Sequence, residues 1–124
     1  MRFPTSSFIA GTILSVGIDL DLLRTRQMVL ELTGASVTSV EPEQALSILR
    51  SRQFDVVVLC HGISCQDASA ICRLACDRSA STSIVLLGHN CGLASGPAHR
   101  TLVLSPSVHP ALLVEAAQGL LPPV

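Results

Sequence analysis

The stretch 53–62, QFDVVVLCHG, limits the fold more than any other part of the sequence. Asp55 leads into Val56, Val57, Val58 and Leu59, an apolar run with three β-branched residues and no polar alternation. Such a strand has both faces buried, as in the middle of a parallel sheet covered by helices on each side. The run stops at Cys60, His61 and Gly62. In an α/β protein the C-terminal end of a central strand is where ligands and chemistry gather, so a thiol and an imidazole at that point pose the functional question.

A chain of 124 residues supports one core and one domain. Its formal net charge of -1 gives no basic field, so no nucleic-acid partner is expected. Charged residues are only 14% and hydrophobic ones 48%, with a mean hydropathy of +0.55. That apolar balance points to a surface that meets a protein partner or a second copy in a homodimer. Gly, Ser, Arg and Asp interrupt every apolar run before the roughly 18 residues a spanning helix needs, so no membrane association is expected. The N-terminal MRFPTSSFIAG is too short in apolar length for a signal peptide, and a cytoplasmic location is the simplest reading. The five cysteines are odd in number and repeat no CxxC spacing, which argues against a disulfide framework.

In order, residues 1–11 read as an N-terminal tail and 12–16, TILSV, as the first strand. The segment 21–33 is rich in helix formers, with Asp21 as its expected N-cap and Gly34 just past its end. A short alternating strand at 36–40 precedes a helix opened by Glu41 and Pro42, with Ala45, Ile48 and Leu49 as its buried stripe. The central strand follows, then a third helix that begins within 64–67, ends near Asp77 and shares Ala68, Ile71, Leu74 and Ala75 on one face. Strands at 83–87 and 101–104 and a last helix over 110–120, stopped by Pro122 and Pro123, complete the domain at 12–121, with 122–124 as a C-terminal tail. Alternating strands and helices imply right-handed βαβ crossovers and a parallel sheet. Between the last two strands, Gly92, Gly96 and Pro97 leave a fourth helix short or lost.

This pattern resembles the receiver domain of two-component response regulators, the CheY-like fold. ILSVGIDLDLL is similar to the family's first strand and helix start, commonly ILVVDDDPDLL, and EPEQALSILRSRQFDVVVLC to its second helix and third strand. Ser105-Pro106 resembles the family's Lys-Pro after the fifth strand. The resemblance implies a flavodoxin/CheY-like doubly wound (βα)5 three-layer α/β sandwich with a five-stranded parallel sheet in the order 2-1-3-4-5.

Its functional positions, carried over one at a time, fall on unsuitable side chains. The acidic pair that holds Mg²⁺ falls on Gly17 and Ile18, and only the next position keeps its acid, as Asp19. The phosphoacceptor aspartate falls on Cys60, the switch Thr or Ser on Gly88, the aromatic switch on Leu102 and the phosphoryl-pairing Lys on Ser105. Mg²⁺ wants hard oxygen ligands, and phosphoryl transfer wants a metal, a nucleophile and a cation together. Mg²⁺ binding and aspartyl phosphorylation are therefore expected to be lost, with no cofactor and no enzymatic activity in their place.

Cys60, His61 and Cys65 after the third strand, with His89 and Cys91 after the fourth, form a soft N/S set at one rim that suits a metal or a redox pair. Against this, cysteine also fills core positions as a small apolar residue, and that is the reading adopted. Cys72 and Cys76, four apart on the third helix, are read as packing residues too. The segment 88–92, GHNCG, matches no phosphate-loop spacing. Arg24, Arg26, Arg50 and Arg52 are read as solvated helix surface. Leu112, Leu113, Leu120 and Leu121 exceed what one helix needs to cover the sheet, and with Leu102 and Val103 they mark the surface expected to meet a partner.

The resulting expectation is a stand-alone pseudo-receiver, its chain ending at Val124, that works by protein contact in phosphorelay signalling with a partner such as a histidine kinase. Two alternatives stay open: a phosphorylatable receiver with a rearranged site, and a Cys/His-based metal or redox sensor.

Overall fold

In the computed structural model, residues 11–79, 81–88 and 100–122 are described. Five parallel strands form one sheet: β1 (Thr12–Val16), β2 (Ser36–Val40), β3 (Val56–Leu59), β4 (Ser83–Leu87) and β5 (Arg100–Leu104). Their order is β2-β1-β3-β4-β5, as the resemblance implied. The helices among the described residues are α1 (Leu20–Glu31), α2 (Pro42–Leu49), α3 (Cys65–Arg78) and α4 (Pro110–Leu120). The expectation of a short or lost helix between β4 and β5 falls on residues 89–99, outside the described residues.

The apolar run of β3 does what its sequence dictates. Val57 and Leu59 enter a core layer with Ala45 and Leu49 of α2 and Ala68, Ile71, Cys72 and Ala75 of α3. Val56 and Val58 enter the opposite layer with Leu23 and Leu30 of α1 and Leu113 and Ala117 of α4. The sheet is thus covered on both faces, and each fully buried Val, Leu or Ile stabilises the fold by about 1.5–3 kcal/mol.

The ends of the helices follow local hydrogen-bond chemistry. α1 starts two residues earlier than expected, because Asp19, not Asp21, is its N-cap: the Asp19 carboxylate accepts from the N–H groups of Asp21 and Leu22 at 3.1 and 3.2 Å. Asp21 sits in the first turn, where its charge still favours the helix dipole. α1 also ends at Glu31, short of the expected 33, in a turn that carries Gly34 at φ +88. α2 opens with a capping box between Glu41 and Gln44 and with Pro42 in its first turn. α3 is capped by Ser64, whose hydroxyl accepts from Asp67 N at 3.1 Å.

Candidate functional site

β1 has β2 on one side and β3 on the other, so the chain crosses over in opposite directions from this point of the sheet. Doubly wound folds leave a crevice at the C-terminal strand ends of such a switch. Here it is a cavity of about 380 Å³. Gly17, Ile18 and Asp19 leave the end of β1, Leu22, Leu23 and Arg26 come from α1, and Cys60, His61 and Gly62 leave the end of β3. Backbone bonds tie these walls together: Gly17 N donates to Val40 O at 3.1 Å and Cys60 N to Val16 O at 2.9 Å.

Gly17 allows the close approach. A Cβ built there would lie 3.2 Å from Leu23 Cδ1 and 3.4 Å from Cys60 Sγ. Asp19 is exposed at the mouth, with its Oδ1 engaged in capping α1. His61 is exposed.

Cys60 is 3% exposed. Burial pushes its thiol above the ordinary range, while the Arg26 guanidinium, by charge and by a contact to sulfur, and then Ser15 pull the other way. Burial dominates, so the thiol stays protonated near neutral pH and lacks the thiolate that a reactive cysteine needs.

Arg26 corrects the expectation of a solvated helix surface: it is only 7% exposed. Its Nη2 donates to Pro106 O at 3.0 Å, after β5, while Nη1 meets no oxygen acceptor among the described residues. Leu23, Arg26 and Leu30 are the buried residues of α1, at the spacing of one helical stripe. The signal was therefore present in the sequence, as a cation in an apolar stripe. The long stem covers apolar surface and carries the guanidinium across the pocket. Arg24, Arg50 and Arg52 are exposed as expected, with Arg52 lying over the Phe54 ring at 4.7 Å.

Of the remaining positions singled out above, Gly88 and Ser105 follow the C-terminal ends of β4 and β5 and Leu102 lies within β5, all outside the cavity lining. Gly88 has φ +80, and a Cβ there would lie 3.0 Å from the Pro106 ring. Ser105 is engaged within its own turn, its Oγ accepting from Ser107 N at 3.2 Å. Leu102 is half-buried on β5.

Cys65 is disulfide-bonded, an outcome the odd cysteine count did not lead us to expect. Cys60, Cys72 and Cys76 are thiols. No group of three His, Cys, Asp or Glu side chains with metal-binding geometry occurs among the described residues, and the candidates His89 and Cys91 lie outside them. Cys72 packs in the core, where burial and then the neighbouring Cys76 push its thiol up to about 12. Cys76 is half-buried and raised by burial and then by Asp77.

Sheet order, layers and a crevice at the β1/β3 switch define the CheY-like receiver fold, a doubly wound α/β class. Among solved structures the chain is similar to a response regulator receiver protein from Sinorhizobium medicae WSM419, with a TM-score of 0.73 and 24% identity over 88% of this chain and 92% of that one. It is similar to the chemotaxis protein CheY4 of Vibrio cholerae, with a TM-score of 0.69 and 16% identity over 88% and 97% of the two chains. A sensor protein from Polaromonas sp. JS666 matches with a TM-score of 0.70 and 22% identity over 88% and 94%. At these identities the likeness is one of fold. No protein-family model matches the chain, and no curated protein matches its sequence.

Proposed function

We propose that the chain is a pseudo-receiver: a non-catalytic module of two-component signalling that works by phosphorylation-independent contact with a protein partner, such as a histidine kinase or a second copy of itself. The buried guanidinium of Arg26 beside Cys60 carries this reading. A phosphorylatable receiver needs a divalent cation among carboxylates at this strand end. The donors here are a protonated thiol, a carboxylate occupied in helix capping and a fixed cation. That set does not fit Mg²⁺, which takes hard oxygen ligands in a near-octahedral shell and is repelled by a neighbouring positive charge.

Cys60, at the phosphoacceptor-equivalent position, is a poor nucleophile while protonated. Gly17 and Ile18 at the acidic-pair positions, and Gly88, Leu102 and Ser105 at the switch positions, offer no replacement for the missing groups. The signalling setting is supported by the similar structures, which are named as a receiver protein, a chemotaxis protein and a sensor protein. Protein contact is supported by Val103, 47% exposed on β5, and Leu112, 57% exposed on α4. No helix among the described residues is long and apolar enough to cross a membrane.

The disulfide at Cys65 favours a second reading, redox sensing, over metal sensing, because a cystine sulfur is no thiolate ligand. That reading would place the sensing bond at the start of α3 rather than at Cys60.

Incubation with acetyl phosphate and Mg²⁺, followed by intact mass measurement, tests the main proposal. The expected outcome is no phosphoryl gain of about 80 Da. A stoichiometric adduct would overturn it, and its loss in Cys60→Ala would assign the adduct to that thiol.

A further inference from the structure

The cavity at the β1/β3 switch holds a cation with no counter-ion among the described residues. All nine acidic side chains of the sequence lie within the described residues, and none accepts a hydrogen bond from Arg26 Nη1. Nη2 is satisfied by a neutral carbonyl, Pro106 O, at 3.0 Å. A buried charge left in this condition is costly, and proteins meet that cost with a partner of opposite sign. The cavity beside it, about 380 Å³, is at the small end of the range for small-molecule sites.

The walls narrow the choice of anion. Ile18, Leu22, Leu23 and the protonated Cys60 make the lining mostly apolar, so an apolar body is favoured over a bare inorganic ion. Arg26 Nη1 meets no oxygen acceptor among the described residues, and the Asp19 carboxylate stands at the mouth, which disfavours a dianion such as phosphate. A carboxylate is planar and matches an N–H donor of a guanidinium with a charge-assisted bond.

We propose that this cavity is a binding site for a small organic monocarboxylate, its carboxylate accepting from Arg26 Nη1 and its apolar body resting on Ile18, Leu22 and Leu23. The ligand takes the place where a receiver would hold its metal and phosphoryl group, so the site changes sign: it selects an anion by a fixed cation. This goes beyond the pseudo-receiver reading, and it is tested on the full chain without a kinase or a phosphodonor, so the two stand or fall separately.

The experiment titrates the ¹⁵N-labelled full chain with isovalerate and benzoate, with the amides isovaleramide and benzamide, and with inorganic phosphate, following the backbone amides of Gly17, His61 and Gly62. Saturable shifts are expected with the carboxylates at millimolar concentration, at least about tenfold weaker binding of the amides, and weaker binding of phosphate. Arg26→Met should weaken the carboxylates by about 10-fold or more. Asp19→Asn keeps the helix cap but removes the like charge at the mouth, so it should tighten carboxylate binding by about twofold. Equal binding of amides and carboxylates, tighter binding of phosphate, unchanged binding in Arg26→Met, or no carboxylate response at millimolar concentration would each overturn the proposal. The amide comparison and Asp19→Asn decide the matter even if Arg26→Met fails to fold.

Discussion

The two ends of β1 and β3 treat polar groups in opposite ways. At the N-terminal end Asp55 works as a staple: its Oδ2 accepts from Thr12 N at 2.9 Å, its N–H donates to Thr12 O at 3.1 Å and its carbonyl accepts from Ser83 N at 2.9 Å. Beside it the buried Thr82 hydroxyl donates to Phe54 O at 2.7 Å. At the C-terminal end the charged group is Arg26, with one nitrogen bonded to Pro106 O and the other facing no oxygen acceptor among the described residues, next to a cavity. The same strands therefore carry a closed end, where polar groups serve stability, and an open end, where a buried charge keeps bonding capacity that the fold itself does not use. That asymmetry marks the open end as the candidate site on physical grounds alone.

The largest effect is expected at the closed end. Gly11 holds φ +125, which side-chain-bearing residues rarely adopt, and a Cβ there would run into Asp55 Oδ2 and lie 3.2 Å from Pro122 Cδ. Gly11→Val should lower stability by about 2–4 kcal/mol in urea unfolding. A loss below about 1 kcal/mol would mean that the Asp55 staple is loose, and the contrast between the two ends would collapse.

A second test separates the open end from the core by alkaline titration. The sequence contains no Lys and no Tyr, so cysteines are the side chains that titrate above neutrality and below arginine. Cys60, Cys72 and Cys76 are all raised in the folded state, Cys72 to about 12. A raised thiol makes the folded state hold its proton longer than the unfolded chain. Its contribution is therefore complete below the unfolded thiol range, near about 8.5, and is lost as pH rises towards the folded value. For Cys72, 4% exposed, the slope approaches about 1.4 kcal/mol per pH unit in that window. Cys72→Ala should flatten the alkaline limb of a stability profile more than Cys60→Ala, because Arg26 offsets burial at Cys60. Equal flattening would mean that the guanidinium does not act on the Cys60 thiol.

These contrasts also explain what could be read from the residues alone. The unbroken VVVL of β3 can only be buried on both faces, and the end signals of α2 and α3 are local, so the architecture was legible. The cap of α1 was misassigned because Asp19 and Asp21 both satisfy the preference, and the choice depends on how the chain leaves β1. Arg26 was misread because a charge is ordinarily solvated, although its position between Leu23 and Leu30 on the buried stripe pointed inward. The disulfide at Cys65 is encoded by no count or spacing of the cysteines. The miss at Arg26 falls on the residue that the proposed ligand would engage, as expected where a sequence departs from its own folding rules for the sake of function.

The smallest expected change in stability sharpens the comparison most. Removing the staple by Asp55→Ala leaves Thr12 N without its side-chain acceptor, a loss of about 1–3 kcal/mol. Arg26→Met keeps much of the apolar stem and deletes a buried charge whose contacts, Pro106 O and the Cys60 sulfur, are neutral, so their loss is set against relief of desolvation. Stability should stay within about 1 kcal/mol of the parent or rise, read by urea unfolding at neutral pH. A fall of about 3 kcal/mol would show that Arg26 is a structural staple like Asp55, with its charge fully compensated inside the fold, and the open end would then have no unmet bond with which to hold a ligand.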